Sequence, residues 1–371
     1  MTLTTTFQVN RQDFSKTNFQ YNEITEVSSL QEGQVLMKVD QFSFTANNIT
    51  YAAMGEGLKY WDFFPTAEGK GVIPVWGFAD VIASRKDDIA VGERFYGYYP
   101  MATHLVVNAT AVNAYNFIDG AEHRKNLSVI YNQYLRCSAD PTYSKKIEAL
   151  QMLLRPLFTT SFLLDDLFSD NQFFGADSLV LTSASSKTAL GMAFLLHMNR
   201  DKRDHQYQII GLTSATNVDF VKSLSYYDQV LSYDQVTELN NDVATTTIDF
   251  AGNGQLLGIL HQHFNDNLTY SCRVGASHWD KLNGLPKQLA GPQPQMFFAP
   301  TQAAKRVKEW GGVGFQQRIG EVWFEFINFA QQWMTIEEVR GESGINDVYQ
   351  NALAGKFNPE IGTILSFDDE V

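Results

Sequence analysis

The sequence predicts an α/β protein built from a β-rich unit and a doubly wound parallel sheet. From Ser178 to about Ser277, short apolar runs alternate with helical stretches, the pattern of parallel strands joined by crossover helices. From Phe7 to about Val107, short alternating runs are separated by glycine, proline and Asn/Asp turns, the pattern of a small barrel or sandwich. Composition allows both: of 371 residues, 44% are hydrophobic and 13% aromatic, enough for two cores, and only 19% are charged.

In the β-rich stretch, strands are expected at Gln34–Val39, Gly77–Ala83, Glu93–Tyr98 and His104–Val107. Asn108 to Phe174 reads as mostly helical. Apolar residues recur at helical intervals over Leu127–Leu135 and Lys145–Phe168, and Pro156 is expected to break the second into two helices. The alternating stretch then gives strands at Leu179–Leu181, Gln208–Leu212, Gln229–Leu231, Thr246–Phe250 and Tyr270–Val274, with helices after the first and at Ala215–Leu224 and Leu256–His263. Pro and Gly from Gly284 to Gln295 read as a linker. A strand at Met296–Ala299, an aromatic helix from about Ile319 to Trp333, an amphipathic helix and a strand at Ile361–Phe367 complete the chain. The expected division is 1–145 with 296–371 for the β-rich unit and 146–295 for the parallel sheet.

Several function classes are excluded. A net charge of −13 argues against nucleic-acid binding, which needs a positive surface. Cys137 and Cys272 are far apart and give neither a zinc site nor a disulfide framework, and the seven histidines form no H-E-x-x-H array. No apolar run is long enough for a membrane span, so a soluble cytoplasmic protein is expected.

The most informative stretch is Ser178–Leu196, a strand, a hydroxyl-rich turn and an apolar helix. This geometry aims backbone N–H groups and the helix dipole at one spot, which suits a phosphate held by Ser185, Ser186, Lys187 and Thr188. An ordinary N-cap turn fits the same residues. A P-loop does not, because G-x-x-x-x-G-K-[ST] needs glycines where Leu181 and Ser186 stand. At the tip of the second strand, Thr213, Ser214 and Asn217 offer polar groups and no acid. An NAD site would place a carboxylate there for the ribose 2′-hydroxyl, whereas uncharged groups tolerate a 2′-phosphate. Asp249, Ala251, Gly252 and Asn253 stand at the end of the fourth strand and Gly275, Ala276 and Ser277 at the fifth, the carboxyl ends where open α/β sheets bind ligands.

Gly33-Gln34-Val35-Leu36-Met37-Lys38-Val39, Phe44–Thr50 ahead of the Gly55 turn, Val91-Gly92-Glu93-Arg94-Phe95-Tyr96-Gly97, Val180–Gly191 and Ile248-Asp249-Phe250-Ala251-Gly252 stand in one order along nearly the whole chain. That order resembles the medium-chain dehydrogenase/reductase superfamily, in its zinc-free, quinone-reductase-like branch. The resemblance implies a GroES-like barrel domain plus a Rossmann domain, NADP(H) as cofactor, a small-molecule substrate and a homodimer. It implies an oxidoreductase passing hydride to a quinone, enone or similar carbonyl. Phe298 would flank the nicotinamide, and Asn48 and Tyr51 would lie by the substrate, with Tyr51 as donor to its oxygen. Tyr51 fits an interface-packing role equally well.

The departures are as telling. Asn47, Asn48, Val75 and Trp76 stand at places where zinc-type members carry metal ligands, so zinc of that kind is excluded. Ser186 and Lys187 replace two glycines of the fingerprint turn, and only Ala189 meets the small third position. Those side chains either bind phosphate in place of backbone or fill its space. The second case describes a catalytically silent nucleotide-binding relative acting as sensor or interaction protein.

Overall fold

Alternating apolar residues on short strands close into a barrel in the computed structural model, which describes residues 3–23, 29–275 and 288–368. In chain order the first elements are β1 (Leu3–Asn10), β2 (Thr17–Glu23), β3 (Gln34–Phe44), α1 (Ala46–Ala53), β4 (Lys70–Gly71), β5 (Pro74–Ser84), β6 (Arg94–Pro100), β7 (His104–Thr110), β8 (Asn116–Asp119), β9 (Gln133–Arg136) and α2 (Glu148–Asp170). The order β3-β5-β6-β9-β8-β7 closes on itself through β3–β7 pairing. Phe95, Phe117 and Tyr134 fill the interior with no exposed surface. β1, β2 and β4 form a separate small sheet.

The next elements are β10 (Ser178–Thr182), α3 (Lys187–Arg200), β11 (Gln208–Thr213), α4 (Val218–Ser223), β12 (Gln229–Ser232), β13 (Thr245–Asp249), α5 (Gly254–Phe264), β14 (Leu268–Arg273), β15 (Gln295–Met296) and α6 (Ala299–Ala330). All five strand pairings are parallel and the order is β12-β11-β10-β13-β14-β15. Counted within the sheet this is 3-2-1-4-5-6, the Rossmann order, with its switch point between β10 and β13. Leu179, Leu181, Ile209 and Ile248 pack one face and Val180, Ile210 and Leu212 the other, as expected for strands covered on both sides. The chain ends with β16 (Thr335–Arg340), α7 (Gly341–Leu353) and β17 (Ile361–Ser366), which extend the barrel sheet along β3.

The chain divides into Met1–Leu153 with Met334–Val371, and Leu154–Trp333. Residues 296–333, placed in the β-rich unit by sequence, thus lie in the Rossmann unit, and 146–153 lie in the β-rich unit. The reason is aromatic packing: Phe326 of α6 stacks on Phe158 of α2 at 4.4 Å and meets Phe194 of α3 at 5.4 Å.

Three further expectations change. The helix expected over Leu127–Leu135 is instead a short 3-10 turn followed by β9, and β8 precedes it. These two strands pair antiparallel and complete the barrel, so non-local pairing overrides local periodicity. Pro156 does not break α2, which runs unbroken from Glu148 to Asp170. The strand expected at Met296–Ala299 spans only Gln295–Met296, since Ala299 already begins α6 with a proline in its first turn. Of the Gly284–Gln295 linker, residues 284–287 lie outside the described residues; 288–294 carry no helix or strand, and Gln295 begins β15.

Candidate functional site

The fingerprint turn leaves β10 through Ser183, which adopts a left-handed φ of 51° that glycine usually supplies. Ser186 then caps α3: its hydroxyl accepts from the Ala189 N–H at 3.3 Å. Lys187 and Thr188 open the helix directly after a turn closed by the Ser186 N–H, which donates to Ser183 O at 2.7 Å. Burial lowers the Lys187 pKa to about 8, which still leaves an ammonium at neutral pH. The Thr188 carbonyl accepts from Ser161 at 2.7 Å, fixing α3 against α2.

The buried Ser185 hydroxyl accepts from Thr213 Oγ1 and from Asn217 Nδ2, each at 3.1 Å. The structure therefore joins the turn to the second-strand tip, bringing Ser185, Thr213 and Asn217 together. The Ser214 hydroxyl is not part of this side-chain trio and pairs with Thr216 at 3.1 Å, while its carbonyl accepts the Asn217 N–H at 2.9 Å. Tyr233, just past β12, was not singled out by sequence. Burial raises its pKa to about 12 against the opposing pull of hydrogen bonding to Ser183, which puts its phenol at the same turn.

At the switch point, Thr182 Oγ1 donates to Asp249 Oδ1 at 2.8 Å, latching the ends of β10 and β13. The same oxygen accepts the amides of Ala251 and Gly252, each at 3.1 Å, and Gly252 turns with φ 72°. Burial raises the Asp249 pKa, while these hydrogen bonds and Arg273 act the other way. Gly275 is obligatory where it stands, since a Cβ would lie 2.4 Å from the Phe250 carbonyl oxygen. Phe298 is half-buried at the cap of α6, and the preceding Phe297 N–H donates to Arg273 O at 2.7 Å. Ala276 and Ser277 lie outside the described residues.

In the barrel unit, Thr45 and Asn48 form a capping box at the start of α1. Asn48 Oδ1 accepts from Thr45 N at 2.8 Å and its Nδ2 donates to Pro74 O at 3.0 Å. The structure thus gives Asn48 a capping role, anchoring α1 to β5. One turn on, Tyr51 enters an aromatic cluster with Tyr60 (4.5 Å between centroids) and Tyr98 (5.7 Å). Tyr131 and Trp76 pack on the same group. Burial raises the Tyr51 pKa, opposed by Trp76, Asn47 and Tyr98. The side chain stays a phenol at neutral pH, able to donate a hydrogen bond. Tyr98 and Tyr131 come from strand and turn positions that sequence spacing does not relate to Tyr51.

Among the described residues, no group of three or more His, Cys, Asp and Glu side chains could hold a metal ion. No helix among them is long and apolar enough to cross a membrane.

Barrel, Rossmann order and switch-point turn together define a chain with the medium-chain dehydrogenase/reductase fold. Residues 42–358 match a family described as "Protein of unknown function (DUF2855)", and the chain belongs to that family. Solved structures share the fold. CurA from Vibrio vulnificus superposes with a TM-score of 0.61 at 14% identity, covering 99% of each chain; it has also been solved in complex with NADPH. The yhdH oxidoreductase from Salmonella enterica, in complex with NADP, gives 0.54 at 16% identity, covering 98% of this chain and 100% of that one. The mitochondrial 2-enoyl thioester reductase Etr1p/Etr2p heterodimer from Candida tropicalis gives 0.55 at 13%, covering 99% and 100%. No curated protein matches the chain significantly.

Proposed function

We propose that this chain is a zinc-independent, NADP(H)-dependent reductase acting on a quinone, enone or similar carbonyl compound. The observation that carries the reading is the turn after β10. There a helix N-terminus, the hydroxyls of Ser185 and Thr188 and the Lys187 ammonium offer donors for phosphate without any carboxylate. That donor set fits a phosphorylated dinucleotide even though the fingerprint glycines are replaced.

In this reading Ser185, Ser186, Lys187 and Thr188 hold the pyrophosphate. Thr213, Ser214 and Asn217 accommodate the 2′-phosphate, which a carboxylate at the strand tip would repel. Ala251, Gly252, Gly275 and Phe298 border the nicotinamide half. The cofactor, when bound, supplies the hydride; the protein binds, orients and provides a hydrogen-bond donor. Tyr51 is that donor, its phenol held protonated by burial. Asn48 acts through α1, keeping Tyr51 in place. A homodimer in the cytoplasm belongs to the same proposal, and light scattering on the purified chain tests its dimeric part.

Titration with NADPH and NADH, followed by nicotinamide fluorescence, tests the reading. Tighter binding of NADPH supports it, and no binding of either at hundreds of micromolar overturns it. One observation favours a silent nucleotide-binding relative instead: Ser186 and Lys187 put side chains where the fingerprint has glycines, and Ser186 is held as the α3 cap by the hydrogen bond it accepts from the Ala189 N–H. NADPH binding without turnover of any quinone or enone would favour that second reading.

A further inference from the structure

Two adjacent strand ends in the Rossmann unit carry polar groups that the fold leaves unanswered. Asp249, the last residue of β13, is 1% exposed. Its Oδ1 accepts three hydrogen bonds, from Thr182, Ala251 and Gly252. Its Oδ2 is just as buried and has no partner among the described residues. Arg273 ends β14 and is the register partner of Asp249. Its Nε is buried and also without an acceptor. Arg94, Arg203 and Arg306, by contrast, each hold a carboxylate directly. A buried acceptor and a buried donor left unmet side by side both disfavour the ligand-free state.

The group that answers both is one carrying an N–H donor and a carbonyl acceptor on the same carbon. We propose that Asp249 and Arg273 form a clamp for a primary carboxamide, Oδ2 taking its N–H and Nε donating to its carbonyl. A ligand carboxylate or phosphate would meet repulsion at Asp249, and a hydroxyl, which both donates and accepts, would have to reach both atoms from a single oxygen, whereas a carboxamide presents donor and acceptor on separate atoms. Position points to the same group. With the phosphates at the β10 turn and the 2′-phosphate toward β11, the opposite end of a dinucleotide lies across the switch point, toward β13 and β14. The carboxamide of nicotinamide is at that end. The inference therefore rests on the NADP(H) reading above and deepens it, making these two residues determinants of cofactor orientation.

The test compares three probes on the purified chain by calorimetric titration: NADP+, its 3-acetylpyridine analogue, and 2′,5′-ADP. The analogue keeps the carbonyl but lacks the amide N–H, and 2′,5′-ADP lacks the whole nicotinamide half. The wild type is expected to bind NADP+ about tenfold more tightly than the analogue. Asp249→Asn keeps an oxygen for Thr182, Ala251 and Gly252 but puts a donor where Oδ2 was. It should weaken NADP+ to the level of the analogue and leave 2′,5′-ADP unchanged. Arg273→Met is an independent variant and should weaken NADP+ and the analogue alike, about tenfold, again sparing 2′,5′-ADP. Equal wild-type affinity for NADP+ and the analogue overturns the clamp while leaving the cofactor reading intact. So does a loss of 2′,5′-ADP binding in step with NADP+ in both variants, which marks a purely structural pair. Failure of the wild type to bind any of the three overturns the cofactor reading itself, and the clamp with it.

Discussion

The hydroxyl of Ser43 donates to the backbone carbonyl of Met152 at 2.8 Å, and that carbonyl is the one Pro156 leaves without a helical partner. A proline inside a helix removes the N–H that would reach four residues back. Here a buried side chain from β3 supplies the missing donor, so α2 continues where local chemistry predicts a break. Ser43→Ala should destabilise the protein by about 1–3 kcal/mol, the usual cost of an orphaned buried acceptor. In a Pro156→Ala background, where the backbone N–H is restored, the same change should cost less. Chemical denaturation of the four proteins closes that cycle, and equal costs in both backgrounds would refute the coupling.

Lys187→Ala should weaken NADPH binding by roughly tenfold, the worth of one charge-assisted hydrogen bond. The wild-type affinity should itself fall as pH rises through about 8, where the Lys187 side chain loses its charge, and the variant should lack that dependence. Stability moves the opposite way. The folded pKa of about 8 lies below the ordinary value of 10.5, so between these values the unfolded chain binds more protons. Lys187 therefore makes stability rise across that window, and Lys187→Ala should remove the rise. Fluorescence titration and thermal melts at several pH values check both signs.

Ser214→Asp places a carboxylate at the end of β11, where a ribose hydroxyl or a 2′-phosphate would lie. Because Ser214 bonds Thr216 and not Ser185, the change leaves the Ser185–Thr213–Asn217 trio in place. NADPH affinity should drop by about tenfold or more and NADH affinity should hold or improve. An unchanged NADPH to NADH ratio would move the adenosine end away from this tip.

Tyr51→Phe retains the ring that packs against Tyr60 and Tyr98 and removes only the hydroxyl. If that hydroxyl serves the substrate oxygen, turnover should fall by about a hundredfold with NADPH binding unchanged. Since burial raises the Tyr51 pKa, its contribution to rate should be flat across the neutral range. An unaltered rate assigns Tyr51 to packing alone.

Much of the Rossmann unit was legible in the sequence because its strands are short apolar runs and two of its helices, α3 and α5, begin at the side-chain caps Ser186 and Asn253. Leu179–Leu181, Gln208–Leu212 and Gln229–Leu231 each fall inside an observed strand. The turn Ser183–Thr188 was equally readable, since capping chemistry is local. The barrel was legible only in its longer strands. β8 and β9 are four residues each and carry no periodicity able to compete with a helical reading. Of the site, Tyr51 and Ser185 could be named from order along the chain. Tyr233, Tyr98 and Arg273 could not, because nothing in their neighbours signals what they face.

By itself, then, the sequence determined the element types, the alternation that makes a parallel sheet, and the residue chemistry of the nucleotide turn, all properties of residues a few positions apart. Only the tertiary structure decided which strands close the barrel, that 296–333 packs with the Rossmann unit, that Ser43 rescues the Met152 carbonyl, and that Asp249 stands beside Arg273. Those outcomes depend on burying apolar surface and pairing polar groups across long sequence separations, terms that exist only once the chain has folded.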